Sequence, residues 1–123
     1  MTESEFLEAL NLHAANAITS SSVFLTYVFG FVTAAYFVGQ KLSRNQTIIV
    51  SVLYVIACGF WLTSALTHAD SFATLVAANQ EYVPSRFWFL PWPLLAVVSG
   101  LVVVVASLYF MYDVRSKNGL SNT

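Results

Sequence analysis

Three stretches of this chain carry no charge at all. No Asp, Glu, Lys or Arg occurs in residues 9–40, 45–69 or 87–112, gaps of 32, 25 and 26 residues. An α-helix rises about 1.5 Å per residue, so about 20 residues cross a hydrocarbon core about 30 Å thick. Each gap is long enough for one crossing. The spans predicted within them are residues 22–40, 47–67 and 94–112. The last contains Leu101 followed by four valines, a run that in water suggests a buried strand. In lipid an open strand leaves its backbone groups unpaired, so a helix is required. The fold class expected is therefore an all-α membrane protein with three transmembrane helices.

Composition agrees. Of the 123 residues, 58% are hydrophobic and 9% are charged, against about 25% charged in a typical soluble domain. A chain this short has too little interior to hide so much apolar surface. The net charge of −1 offers no basic stripe for nucleic acid. One cysteine, Cys58, rules out an internal disulfide and a multi-cysteine zinc motif.

The segments flanking the spans have their own patterns. Met1-Thr2-Glu3-Ser4-Glu5 lacks the basic start of a secretory signal. Thr2 and Glu5 instead have capping-box spacing. Phe6, Leu7, Leu10, Ala14, Ala17 and Ile18 follow at helical spacing. Residues 2–19 read as an amphipathic helix that lies at the interface or runs directly into span one. Residues 70–93 read as an outer interfacial connection. In it Asp70 or Ser71 is expected to cap a short helix carrying Phe72, Leu75 and Val76. The aromatic run that follows, with Arg86, Phe87, Trp88 and Trp92, suits a headgroup-level anchor. The whole chain, 1–123, is one membrane-embedded domain with a frayed polar tail over 116–123.

Orientation follows from the basic residues. Lys41 and Arg44 lie between spans one and two, and Arg115 and Lys117 follow span three. The other side holds Arg86 alone. Because basic residues collect on the cytoplasmic side, the N-terminus is expected outside and the C-terminus inside, in a bacterial inner membrane.

Helices in lipid associate by close packing rather than by expulsion from water. Each span has small residues at four-residue spacing. They are Ser22, Thr26, Gly30 and Ala34 in span one, Gly59, Thr63 and Thr67 in span two, and Ala96 and Gly100 in span three. These stripes are expected to pack helices together and let hydroxyls bond across them, within the chain or with a partner. The opposite face of span one is aromatic, with Phe24, Tyr27, Phe31 and Phe37.

Candidate chemistry is sparse. The span interiors hold no carboxylate or base of the kind that marks proton relays and ion paths. No nucleophile with a base beside it is visible, so no catalytic residue and no resident metal are expected. His13 and His68, the only histidines, both fall near the outer surface. With Asp70 and Glu81 on the same side, their neutral imidazoles are the candidates for holding a divalent metal or a haem iron; a quinone could instead use the aromatic run. Cys58, mid-span, reads as a small packing residue.

The function expected is thus that of a small non-catalytic membrane protein, a subunit or accessory factor that associates through its helices with itself or another membrane subunit. Two alternatives stand beside it. One is a haem- or quinone-carrying membrane anchor. The other is an oligomeric pore former: in length, three spans and topology the chain resembles class I phage holins in outline. No motif carries that resemblance, and the tail after Asp113 is less basic than such proteins usually have.

Overall fold

The computed structural model describes residues 1–83 and 92–121, without the side chains of Trp92, Pro93 and residues 118–121. Three long helices make up the fold. They are α1 (Glu3–Val38), α2 (Arg44–Ala78) and α3 (Trp92–Ser121), and a short 3₁₀ turn, Gln80–Tyr82, follows α2. All three are long and apolar enough to cross a membrane, and no strand occurs among the described residues. The all-α, three-span architecture expected from the charge gaps is the one observed.

The helix starts are those that local chemistry favours. Thr2 caps α1: its hydroxyl accepts from the Glu5 amide at 3.3 Å, and Glu5 Oε2 accepts from the Thr2 amide at 2.7 Å. Ser43 and Gln46 form the same reciprocal box at the start of α2, at 3.2 and 2.8 Å. The signal Ser-x-x-Gln stands in the sequence just before the second apolar run.

The helices extend further than the spans alone. The segment 2–19 is not a separate element, since α1 runs unbroken for 36 residues, about 54 Å. Nor does a new helix begin at Asp70 or Ser71. The Asp70 carbonyl accepts from the Thr74 hydroxyl inside α2, which continues for 35 residues to Ala78. The physical reason is composition. Residues 68–78 contain no Gly or Pro and include four alanines, the best helix former, so nothing stops the helix after it leaves the apolar segment. Asn79 ends it, with its Nδ2 donating to the Leu75 carbonyl at 3.0 Å. At the C-terminal end, the backbone of α3 stays helical through Ser121, past the Ser116 at which fraying was expected.

Each helix contacts the other two. The buried centre comprises Phe24, Phe31 and Ala35 of α1, Tyr54 and Cys58 of α2, and Met111 of α3. Cys58 is a packing residue there, as its position predicted. Phe31 stacks on Tyr54 and Phe24 stacks on Trp61, each with ring centres 4.1 Å apart. Such pairs contribute about 0.5–1.5 kcal/mol each beyond area burial, which matters where lipid removes the hydrophobic drive between helices.

Candidate functional site

The antiparallel pair α1–α2 is built in layers seven residues apart. Tyr54, Trp61 and His68 recur at that spacing on α2, as do Phe31 and Phe24 on α1. The first two layers are the stacked ring pairs. The next position of that register on α1 is Ala17, which is exposed, so no third ring pair follows there. Its neighbours Asn16, Thr19, Ser20 and Ser64 are small as well. A groove of about 370 Å³ results, polar around these residues and His68, apolar around Val23, Tyr27, Phe60 and Trp61.

The structure brings together the two histidines that sequence placed only on the same side. The rings of His13 and His68 lie with centres 6.5 Å apart, edge to face at 72°. Both residues are half-buried. Among the described residues the buried His13 Nδ1 has no hydrogen-bond partner, and neither has Trp61 Nε1 at the floor of the groove. Beyond the histidines, the buried Phe6 packs on Tyr82 with centres 5.8 Å apart and closes the far end of the helix pair. His68 stands 24 residues from the start of α2, about 36 Å along its axis. That exceeds a hydrocarbon core of about 30 Å.

No third His, Cys, Asp or Glu joins the pair among the described residues. Asp70, two residues after His68, is exposed on another face. The arrangement sets two imidazoles beside the hydroxyl and amide side chains of Asn16, Thr19, Ser20 and Ser64.

The small-residue stripes are placed differently from expectation. Ser22, Thr26 and Gly30 are exposed, and a Cβ added at Gly30 would meet nothing within 4 Å. At about 100° per residue, this stripe lies nearly opposite Phe24, Phe31 and Ala35. Span one therefore packs through Phe24, Phe31 and Ala35, while Tyr27 and Phe37, expected on the same face, are exposed; its small face points away from α2 and α3. Thr63 and Thr67 are likewise exposed, as is Ala96, while Ala34 is half-buried. Gly59 borders a crevice of about 190 Å³ between α2 and α3. Of the stripe glycines, Gly100 alone is close-packed: a Cβ there would stand 2.6 Å from the Trp61 ring.

The hydroxyls also bond otherwise than expected. Ser22, Thr26, Thr63 and Thr67 each donate to the carbonyl four residues back in their own helix, at 2.9–3.0 Å. A hydroxyl on a helix reaches that carbonyl without crossing any gap, so no bond to a neighbouring helix is needed. The stripe is left small, smooth and internally satisfied.

At the basic end, Arg115 does more than reach toward the interface. Its Nη1 donates to the carbonyls of Leu42 (3.1 Å) and Ser43 (3.3 Å) and to the Thr47 hydroxyl. It thereby ties α3 to the α1–α2 turn. Asp113 and Lys117 pair one helical turn apart at 2.7 Å. Nothing in sequence spacing links Arg115 to a turn some seventy residues earlier. Of the expected interfacial anchor, Arg86, Phe87 and Trp88 lie outside the described residues, and Trp92 supplies the first residue of α3.

Comparison with known protein families, curated proteins and solved structures returns no match.

Proposed function

We propose that this chain is a small non-catalytic membrane subunit or accessory factor, which binds another copy or a different membrane subunit through its transmembrane helices. The observation that carries the reading is the direction of the α1 stripe. Ser22, Thr26 and Gly30 form a flat face with satisfied hydroxyls, and that face is turned away from the rest of the chain. In lipid, close backbone approach at small residues is a main source of helix association. A face of this shape serves a second helix better than it serves flexible acyl chains.

The same reading places the protein in a bacterial inner membrane with the N-terminus outside. Its support is the clustering of Lys41, Arg44, Arg115 and Lys117 at one end of the bundle. The α1 and α2 extensions then project outward by about 15 Å beyond the histidines.

Extraction in a mild detergent followed by native mass spectrometry tests this function. A dimer, a higher oligomer or a co-purifying membrane protein is expected, and Gly30→Leu should release the monomer with its helix content intact. A strictly monomeric wild-type particle with no partner contradicts the reading. Collapse of the membrane potential on induced expression would favour a pore instead.

A further inference from the structure

We infer that the groove between α1 and α2 binds a membrane quinone, a neutral ring bearing carbonyl groups on an apolar tail. This goes beyond the association reading and does not depend on it. The first support is the form of the lining. From Asn16 on α1 and from Ala57 on α2, the lining residues recur at the same steps of three, four, seven and eleven. Each helix therefore presents one face over about 16 Å. Toward the Phe6–Tyr82 end that lining is polar, with Ser20, Ser64 and His68. Toward the Phe31–Tyr54 layer it is apolar and rich in rings, with Tyr27, Phe60 and Trp61. A molecule that fits has a polar head and an apolar body. The volume of about 370 Å³ falls within the range of small-ligand sites, about 300–1,000 Å³.

The second support is hydrogen-bond chemistry. Trp61 Nε1 is buried and has no partner among the described residues, and an indole N–H can only donate. Ser64 and His68 stand one and two turns further along the same face of α2 and add donors of their own. A quinone carbonyl only accepts, so head and lining match. The third support is charge. No Lys or Arg lines the groove among the described residues, so the phosphate of a phospholipid would lack a counter-charge, whereas a quinone head is neutral. The flat faces of Phe60 and Trp61 also suit a planar ring better than two acyl chains.

The probe is decylubiquinone, added to the full chain in nanodiscs of phosphatidylethanolamine and phosphatidylglycerol. Trp88→Phe and Trp92→Phe leave Trp61 as the reporting indole, which a quinone quenches on contact. Saturable quenching at one site per chain is expected, and decylbenzene, a similar tail without carbonyls, should not reverse it. His68→Phe should weaken binding about three- to tenfold. Ser64→Phe fills the groove and should abolish the saturable phase, with helix content by circular dichroism unchanged in both variants. Quenching that rises without saturation overturns the proposal, because the quinone is then only dissolved in the lipid. So does reversal by decylbenzene, which makes the groove a general apolar surface. Both results come from the unaltered groove and hold even if the groove variants fail to fold. Unchanged affinity in either variant, with helix content intact, also overturns it.

Discussion

Gly100 is a tightly packed point of this bundle, between α3 and the Trp61 ring. A Cβ added there would come 2.6 and 2.9 Å from two atoms of the Trp61 ring, against the 3.5–4.0 Å or so at which carbon atoms attract. The ring must move by about 1 Å. It cannot move freely, because its other face is stacked on Phe24 at 4.1 Å between centres. Gly100→Ala should therefore cost about 1–3 kcal/mol of overpacking. The alanine returns up to about 1 kcal/mol of helix propensity, which leaves a net loss centred on about 1 kcal/mol. That corresponds to roughly a 5-fold shift in the folding equilibrium. Gly59→Ala is the matched control, because a Cβ at Gly59 meets nothing within 4 Å, and it should be neutral or slightly stabilising. Unfolding of both variants in mixed micelles, followed by circular dichroism, measures the difference. Adding Phe24→Ala to Gly100→Ala frees the ring, so the second substitution should cost less in that background than in wild type. If Gly100→Ala matches or exceeds wild-type stability, α2 and α3 do not pack through this ring.

Other contacts give further expectations. Arg115→Ala removes the tie between α3 and the α1–α2 turn, and bonds to a charged group are worth about 1.5–3 kcal/mol when shielded. At this half-exposed position a loss of about 1–2 kcal/mol is expected, with faster amide hydrogen exchange at residues 42–47, and Arg115→Lys should recover only part of it. Phe6→Ala should loosen the outer end by up to about 3 kcal/mol, raising exchange over residues 3–13 while the Phe31–Tyr54 layer stays protected. Ser43→Ala removes the hydroxyl half of the α2 capping box and should cost about 1 kcal/mol, visible as fraying of the first turn of α2.

How much of this was legible in the sequence depends on the kind of signal. Charge gaps alone located the three helices, because a bilayer punishes both buried charge and unpaired backbone. The Thr2–Glu5 box was readable because capping is local. Helix ends were not, since no single residue between Thr67 and Ala78 marks a boundary and the chain simply continues. The packing face of span one was open in the sequence, because the small stripe suits a helix of this chain or of a partner equally well. Facing rings at Tyr54 and Trp61 decided the matter, and their seven-residue spacing, shared with Phe24 and Phe31, was the sequence signal that could have shown it. The approach of His13 to His68 falls outside that register, which continues to Ala17 on α1, and no motif announces it. The Arg115 tie is a tertiary contact with no local trace.

The central claim is that the open face of α1 meets protein in the membrane. A photo-crosslinking residue placed at Thr26, in native membranes, tests it most directly, with the exposed Val102 of α3 as the control position. The account predicts a discrete protein product from Thr26, either a second copy or another membrane subunit, that disappears with Gly30→Leu. Crosslinks to lipid alone at Thr26 would contradict it.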